Sequence, residues 1–272
     1  MESGATITQD MITSARNPKI KFIRDLLAHS KTRRELKAFV VEGVRLVEEA
    51  LQSGWEAQLV LHTDDLPLRG QAVVRGFTER GAVSEVISPQ ALKAVSDTEA
   101  PQGILAVLSM RSLPMPTTPD YILILDGLRD PGNMGTILRT AAAAGVQAVV
   151  LPPGATDPFA PKVVRSAMGA HFRLPIQIVS WPEIRAYVKP SGEGIPLVIY
   201  LADSTGGVAY TQADFRSPLA LIVGGEAEGA GVEAQLLADA RVHISMPGEA
   251  ESLNAAVAAA ILMFEVVHQR LR

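Results

Sequence analysis

The sequence predicts an α/β protein made of two domains. Short apolar runs rich in branched residues, which are typical of buried strands, alternate with segments whose apolar residues recur at helical spacing. A chain of 272 residues is long enough for one large domain or two modest ones with their own cores. Residues 110–120 contain three prolines and no periodicity, which is typical of a stiff extended linker. We therefore expect a small first domain over residues 1–109 and a second domain over residues 121–272.

The elements of the first domain are predicted from periodicity and from residues that favour helix ends. Asn17 and Pro18 are typical of a helix start, because Asn caps the first free N–H groups and Pro presets the first helical φ. Ile20, Ile23 and Leu27 then recur at helical spacing. The other elements expected, in order, are strand 39–41, a helix after Gly43, strand 58–61, helix 72–80, strand 83–87, a helix from Ser88 and strand 103–108.

The segment 121–145 is the feature around which the second domain is organised. The apolar run 121–125 predicts a buried strand, and Asp130, Pro131 and Gly132 predict a tight turn in which Gly132 adopts a positive φ. Asn133 is the expected N-cap of the following helix, and Gly145 is its expected terminating residue. Loops that leave the carboxyl ends of strands in an open α/β sheet bind ligands, so we expect a ligand site here.

The remainder of the second domain continues the alternation and ends in an unusually apolar helix. The elements expected are strand 148–151, helix 161–169, strand 174–179, helix 182–188, strand 197–201, a polar loop 202–217, strand 219–223, a glycine-rich loop 224–231, a short helix, strand 242–246 and helix 253–271. Ser252 is the expected N-cap of that last helix. Residues 255–264 are apolar on every face, which predicts a homodimer through this helix, or alternatively a deep monomeric core.

The composition excludes several classes of site. Cysteine is absent, so disulfides, thiol catalysis and cysteine-ligated zinc are excluded, and the five histidines lack metal-ligand spacing. We therefore predict no metal site. Neither a P-loop, a GxSxG elbow nor an HExxH motif is present. The N-terminus lacks an apolar leader and the longest apolar run is too short to span a bilayer, so we expect a cytoplasmic protein with no membrane partner.

Basic residues are concentrated in one segment although the net charge of the chain is −4. A local excess of positive charge is typical of a surface that contacts phosphates, and the alternative is a solvated helix face. The segment is opposed only by Asp25 and Glu35, and its basic residues are Arg16, Lys19, Lys21, Arg24, Lys31, Arg33, Arg34 and Lys37.

The sequence from Gly229 to Ala234 matches the GxGxxA pattern of dinucleotide-binding folds. The match is weak, because it lies late in the domain and the preceding strand is expected to end earlier, at Val223. A nicotinamide-dependent oxidoreductase built on Gly229 and Gly231 is therefore kept as an alternative.

Three further stretches together resemble one family. DPGNMGTILRTAAAAG (130–145), LIVGGEAEGAG (221–231) and ISMPGEAESLNAAVAAAI (244–261) resemble, in order, the three motifs of the SpoU/TrmH RNA 2′-O-ribose methyltransferases of the SPOUT superfamily. PKVVRSAMGAHFRLP (161–175) is similar to these proteins as well. The first domain is similar to the ribosomal-protein-like RNA-binding module of rRNA-modifying members, through ITSARNPKIKFIRDL, FVVEGVRLVEEAL and PQGILAV. The resemblance covers nearly the whole chain.

This resemblance implies a fold, a reaction and partners. It implies an α/β catalytic domain with a deep trefoil knot that binds S-adenosylmethionine, a homodimer through that domain, and an RNA-binding first domain. The expected reaction transfers a methyl group from S-adenosylmethionine to a ribose 2′-hydroxyl of RNA, with 23S-type rRNA preferred over tRNA. Two alternatives remain open, namely a tRNA ribose methyltransferase and a non-catalytic RNA-binding or ribosome-assembly protein on the same fold.

The resemblance also assigns site residues. The residues matched to the catalytic motifs are Arg139, Asn133, Glu226, Ser252 and Asn254. Those matched to the methyl-donor pocket are Gly224, Gly225, Ile244, Met246, Leu253 and Leu201, and the candidate RNA-binding residues are Arg16, Lys19, Lys21, Arg33, Arg34 and Arg165. At two positions the chain departs from the family pattern, with Gly225 in place of Asn or Ser and Ala227 in place of Gly.

Arg139 lies within an apolar helical segment, where its charge must reach solvent or an anionic partner. In the mechanism usually proposed for this family, the matching arginine activates the ribose 2′-hydroxyl. A guanidinium is very hard to deprotonate, so clamping a phosphate and stabilising the developing alkoxide is the physically easier role. The alternative is a surface arginine. The donor carries an activated methyl group, so the protein must mainly align the 2′-oxygen and exclude water.

Overall fold

The computed structural model describes residues 11–96, 98, 100–192, 194–204, 206–225, 229–248 and 252–272. The chain divides into two compact units. The first comprises the described residues up to Arg111 together with Phe159–Pro161, and the second comprises the described parts of Ser112–Pro158 and Lys162–Arg272. Each unit combines helices with a sheet, so the predicted α/β class is confirmed.

The first unit builds a mixed sheet from strands that follow one another with helices between them. Its elements are α1 (Pro18–Ala28), α2 (Ser30–Leu36), β1 (Ala38–Glu42), α3 (Val44–Gln52), β2 (Ala57–His62), α4 (Leu68–Glu79), β3 (Val83–Val86), α5 (Pro89–Lys93) and β4 (Ile104–Ser109). The strand order is β1-β4-β2-β3, with β4 antiparallel to both neighbours and β3 parallel to β2. Ile20, Ile23 and Leu26 of α1 pack with buried residues of these strands to form a core.

The basic segment is divided between two helices. Asn17 caps α1 as predicted, because its side chain accepts a hydrogen bond from the Lys19 N–H at 2.9 Å. His29 is extended (φ −121°, ψ 115°) and separates α1 from α2. The Arg33 guanidinium turns back from α2 and donates to the carbonyls of Leu26 at 2.6 Å and Leu27 at 3.2 Å. These carbonyls lie at the end of α1, where intrahelical partners are missing, so Arg33 stabilises the junction.

The second unit contains a parallel sheet with helices between its strands. Its elements are β5 (Tyr121–Asp126), α6 (Pro131–Ala143), β6 (Ala148–Leu151), α7 (Pro161–Ala167), β7 (Ile176–Ile178), α8 (Trp181–Val188), β8 (Val198–Ala202), β9 (Val208–Ala209), β10 (Leu219–Gly224), α9 (Val232–Leu237), β11 (Ala240–His243) and α10 (Ala255–Arg270). Short 3₁₀ turns occur at Ala170–Phe172 and Tyr210–Gln212. The loop predicted over 202–217 thus contains a strand, and the strand predicted over 242–246 begins and ends earlier.

The strand order of this sheet, β7-β6-β5-β10-β8-β11-β9, places a reversal at its centre. The chain moves outward from β5 to β7, then forms β8 on the other side of β5, and β10 inserts between β5 and β8. All of these strand pairs are parallel, so their carboxyl ends share one edge. Ligands bind at such an edge where the strand order reverses. The trefoil knot implied by the family resemblance stays a prediction.

Two predicted helix caps are wrong by a few residues. Asp130, not Asn133, caps α6, and its carboxylate accepts from the Asn133 N–H at 2.7 Å. Pro131 then occupies the first helical position, so Gly132 belongs to the helix and not to a turn with positive φ. Asn254, not Ser252, caps α10. In both cases two candidate caps stand close together in the sequence.

Other predicted helix features agree with the structure. Gly145 follows α6 with φ +74°, as expected of a terminating glycine. Along α10, Leu262, Met263 and Val266 are buried, whereas Val257 and Phe264 are each 49% exposed. No helix within the described ranges combines the length and apolarity needed to cross a bilayer.

Candidate active site

A cleft of about 580 Å³ opens at the carboxyl edge of the second unit's sheet. Its walls come from the ends of β8, β10 and β11, from the loop before α10, and from the first turns of α10. The predicted site residues that line the cleft are Gly224, Gly225, Ile244, Met246, Ser252, Leu253 and Asn254. Leu201 is buried and does not line the cleft, whereas the next residue, Ala202, does.

Two glycines of this cleft are required by close backbone packing. A Cβ on Gly224 would lie 2.5 Å from the backbone N of Ala230, and a Cβ on Gly225 would lie 2.4 Å from the carbonyl O of Gly127. The Gly225 N–H donates to the Gly229 carbonyl at 3.2 Å, so the ends of this loop meet. The departure from the family pattern at Gly225 is therefore explained by packing. The predicted catalytic residue Glu226, like Ala227, lies outside the described residues.

Asp126 is a buried residue of this region that sequence reasoning missed. It ends β5, and its carboxylate accepts from the Gly231 N–H at 2.6 Å, at the N-terminus of α9. A phosphate placed at this helix end would meet a carboxylate that already occupies the N–H group, so the dinucleotide alternative is disfavoured. The available sequence signal was an acidic residue at the carboxyl end of a buried strand.

The amides of Asn133 and Asn254 join two helix N-termini beside the cleft. Asn254 Oδ1 accepts from the Ala256 N–H at 2.9 Å and the Val257 N–H at 3.3 Å. Its Nδ2 therefore faces the other way and donates to Asn133 Oδ1 at 2.9 Å. The cap of α10 thus fixes the orientation of the Asn254 amide, and that amide in turn orients Asn133 on α6.

Arg139 lies on α6 but is not brought to the cleft of its own chain. Its side chain is exposed, does not line the cleft, and forms no hydrogen bond or ion pair with a described residue. The face of α6 that carries Gly135 packs closely against α7, because a Cβ on Gly135 would lie 2.7 Å from the Val163 carbonyl O. The sequence left open whether the Arg139 charge reaches solvent or an anionic partner. In the single chain it reaches solvent. Its catalytic role stays a prediction.

The predicted RNA-binding residues differ in their exposure. Arg16, Lys21, Arg34 and Arg165 are exposed, whereas half-buried Lys19 forms an ion pair with Glu85. Arg33 is 4% exposed, and its guanidinium is committed to the carbonyls at the end of α1. The assignment of Arg33 to a phosphate-contacting surface is therefore corrected, because a buried guanidinium cannot reach a phosphate without breaking the helix junction.

The charged groups near the cleft are few. Among the described residues that line it, Asp203 is the one ionisable group, and Arg241 donates to its carboxylate at 3.0 Å. His171 lies elsewhere, with Nε2 bonded to the Pro158 carbonyl at 2.6 Å, and burial lowers the pKa of His171 to about 4. Within the described residues no cluster of His, Asp or Glu could hold a metal ion.

The cleft has the size expected of a site for a nucleoside-sized ligand. Its volume is within the range of small-molecule sites, and its described walls combine apolar side chains and glycine backbone with the polar side chains of Asp203, Ser204, Ser252 and Asn254. The close approach of backbone at Gly224 leaves peptide groups, not side chains, to contact a ligand there. S-adenosylmethionine, the methyl donor implied by the family resemblance, can be bound by these side chains and backbone groups without a metal ion.

Comparison with known proteins identifies relatives along the whole chain. The profile of the SpoU rRNA Methylase family matches residues 120–264, and that of the MRM3-like substrate binding domain matches residues 17–106. The 23S rRNA (guanosine(2553)-2′-O)-methyltransferase RlmP of Bacillus subtilis is 38% identical over 94% of this chain and 98% of its own length. The 23S rRNA (uridine(2479)-2′-O)-methyltransferase of Streptomyces viridochromogenes is 31% identical over 95% of this chain and 92% of its own.

A solved structure gives the same result for the fold. The crystal structure of an AdoMet-bound rRNA methyltransferase from Sinorhizobium meliloti superposes with a TM-score of 0.86 at 30% identity, covering 97% of this chain and 99% of that one. Identity at this level over nearly complete lengths, together with a family profile that matches more than half of the residues, establishes common descent. The chain therefore belongs to the SpoU rRNA methylase family.

Proposed function

We propose that this protein transfers the methyl group of S-adenosylmethionine to a ribose 2′-hydroxyl of 23S-type rRNA. The observation that carries the proposal is the cleft at the ends of β8, β10 and β11, with the Asn133–Asn254 pair beside it, in a chain 38% identical to RlmP. The name of that relative supports rRNA over tRNA as the substrate class, and the AdoMet-bound relative of known structure supports the donor.

We assign the cleft of the second unit to the donor. Ile244, Met246 and Leu253 offer apolar surface for an adenine ring, and Gly224, which has no side chain, offers backbone groups of the cleft wall for hydrogen bonds with it. When bound, the donor supplies a methyl group activated by a sulfonium. The protein must therefore hold the 2′-oxygen in line with that group and keep water out, which asks for rigid positioning.

We assign the positioning of the ribose to the polar groups beside the cleft. The Asn254 amide is fixed by the cap of α10 and in turn orients the Asn133 amide, so both side chains are held in set directions beside the cleft. Arg139 would bind an RNA phosphate and stabilise negative charge on the attacking oxygen. Glu226 is proposed as a further polar contact of the substrate on the basis of the motif that it matches.

We propose that the enzyme is a homodimer through the second unit. Val257 and Phe264 occupy the same side of α10, one heptad apart, and both stay half exposed in the single chain. Arg139 is exposed on α6, which packs against α10, and does not line its own chain's cleft. A dimer that covers α10 would bury the apolar pair and would allow Arg139 to serve the cleft of the second subunit.

We propose that residues 1–109 recruit the RNA and that residues 121–272 carry out the transfer. The match of residues 17–106 to a substrate binding domain supports this division, and the exposed Arg16, Lys21 and Arg34 supply positive charge for phosphates. The described helices offer no membrane span, and the protein is proposed to act in the cytoplasm.

Methyl transfer to a 23S rRNA transcript from radiolabelled donor tests the proposal directly. We expect label in rRNA, located at a 2′-oxygen by resistance of the adjacent linkage to alkaline hydrolysis. Label on a base, or on tRNA and not rRNA, would refute the proposed reaction or substrate. RNA binding without any transfer, while the donor still binds, would favour the non-catalytic alternative.

A further inference from the structure

The cleft presents one carboxylate to whatever it binds, judged on the residues that the structure describes there. Asp203 directly follows β8 and lines the cleft, with its side chain 19% exposed. The other polar side chains in the described lining, those of Ser204, Ser252 and Asn254, are neutral. Both functional atoms of the Asn254 amide are already bonded, to the backbone of α10 and to Asn133. Among the described lining residues, Asp203 therefore supplies the strongest hydrogen-bond acceptor.

The Asp203 carboxylate is held in a fixed place by β11. The Arg241 guanidinium donates from Nη1 to Asp203 Oδ2 at 3.0 Å and from Nη2 to Gln235 Oε1 of α9 at 3.3 Å. The Asp203 N–H also donates to the Val242 carbonyl at 3.0 Å. Backbone and side chain are thus both anchored, so the carboxylate is oriented before a ligand arrives.

The loop after Asp203 is built to pass close to Arg241. Gly207 has φ +80°, and a Cβ there would lie 1.9 Å from the Arg241 carbonyl O. A side chain at this position would push the loop away from β11 and separate Asp203 from its partner. The glycine therefore serves to keep the Asp203–Arg241 pair together at the edge of the cleft.

The chemistry of this pair suits a vicinal diol. A carboxylate is an acceptor with about four lone-pair positions, so it can accept from two neighbouring hydroxyls while Arg241 remains bound. An acidic residue near the carboxyl end of a parallel strand binds ribose hydroxyls in this way in nucleotide-binding α/β folds. Because Arg241 balances the charge, the site offers acceptors for neutral hydroxyls more than an uncompensated charge for an ammonium group.

We infer that Asp203 accepts hydrogen bonds from the ribose hydroxyls of the methyl donor and that Arg241 positions it to do so. The inference rests on the proposed donor cleft and adds a specificity-determining contact to it. It predicts that the protein distinguishes ribose from deoxyribose in the donor, and that this distinction is lost when the carboxylate is removed. The donor's amino group is the competing partner for Asp203, and the ligands chosen for the test separate the two.

Calorimetric titration of the full-length protein with three ligands tests the inference. S-adenosylmethionine reports the donor site, 5′-methylthioadenosine keeps the adenine and ribose but lacks the amino acid part, and its 2′-deoxy analogue lacks one hydroxyl. For the wild type we expect about tenfold weaker binding of the deoxy analogue than of 5′-methylthioadenosine. For Asp203→Ala we expect 5′-methylthioadenosine to bind about 10- to 100-fold more weakly, with less than about a twofold difference between the two nucleosides.

Asp214→Ala is the control, because Asp214 is also a loop carboxylate of this unit paired with an arginine, Arg216, but does not line the cleft. It should keep the wild-type discrimination. Arg241→Ala should reduce the discrimination, because the carboxylate loses its orientation. Thermal unfolding shows whether each variant is folded. If Asp203→Ala is not folded, Asp203→Asn replaces it. We again expect reduced discrimination between 5′-methylthioadenosine and its 2′-deoxy analogue.

Two results would overturn the inference. One is unchanged discrimination between the two nucleosides in the folded Asp203 variant. The other is a variant that binds S-adenosylmethionine more weakly but 5′-methylthioadenosine normally, which would assign Asp203 to the amino group. Failure of the wild type to bind S-adenosylmethionine would overturn the donor site itself, and this is seen before any variant is measured.

Discussion

Replacing Asn254 separates the two interactions of its side chain. Its Oδ1 caps α10 through the Ala256 and Val257 N–H groups, and its Nδ2 donates to Asn133 Oδ1 at 2.9 Å. Asn254→Ala removes both interactions. Asn254→Asp keeps an oxygen that can cap the helix and adds a favourable negative charge at its N-terminus, but it removes the donor to Asn133.

The two variants should therefore differ in stability but not in activity. Loss of an N-cap costs about 1 kcal/mol and loss of a partly exposed hydrogen bond about another 1 kcal/mol. We expect Asn254→Ala to lower the free energy of unfolding by about 2 kcal/mol, and Asn254→Asp by about 0–1 kcal/mol because its charge offsets part of the loss. Both variants should lose about tenfold or more in methyl transfer, because Asn133 is no longer oriented.

Urea unfolding followed by circular dichroism measures the stability difference, and single-turnover methyl transfer measures the activity. Ser252→Ala is the control, since Ser252 lines the cleft but does not cap α10, and it should stay within about 0.5 kcal/mol of the wild type. A cost for Ser252→Ala that equals that of Asn254→Ala would show that the cap is misassigned. Full activity in Asn254→Asp would refute the role of the Asn133–Asn254 pair.

Four further predictions concern other parts of the chain. Burial lowers the pKa of His171 from 6.5 to about 4, so the unfolded protein takes up this proton more readily than the folded one. The free energy of unfolding should therefore be unaffected by His171 above pH 6.5 and should fall by up to about 3 kcal/mol as the pH falls towards 4. The unfolding free energy of His171→Gln should depend less on pH in that window. Gly225→Ala should weaken donor binding at least about tenfold in calorimetry, because its Cβ would meet the Gly127 carbonyl at 2.4 Å; wild-type affinity would contradict the required close packing. Arg139→Ala should abolish methyl transfer and leave donor affinity and thermal unfolding unchanged, and activity retained in this variant would remove Arg139 from the mechanism. Arg34→Glu should weaken RNA binding and lower the slope of log affinity against log salt by about 1, whereas unchanged binding would assign that face to solvent.

The alternation of strands and helices could be predicted from the sequence because its causes are local. The apolar run that ends at Asp126 forms β5, and Asn17 caps α1 through its own side chain. Gly145 terminates α6 because only a residue without a Cβ takes a positive φ there at little cost. Where two local signals compete, as Asp130 does with Asn133, the local sequence does not decide between them. The helix begins at the earlier residue, which Pro131 follows.

The chain sequence by itself determined the α/β class, the family motifs and the glycines of the cleft, because these depend on residue type and on spacing along the chain. Only the tertiary structure decided which distant residues meet. Asp126 and Gly231 come together because β5 and β10 are neighbours, and Asp203 meets Arg241 because β8 and β11 pair. Arg33 resembles its exposed neighbours in sequence but is buried at a helix junction. Such contacts depend on strand order and on the packing of distant elements, which no local pattern encodes.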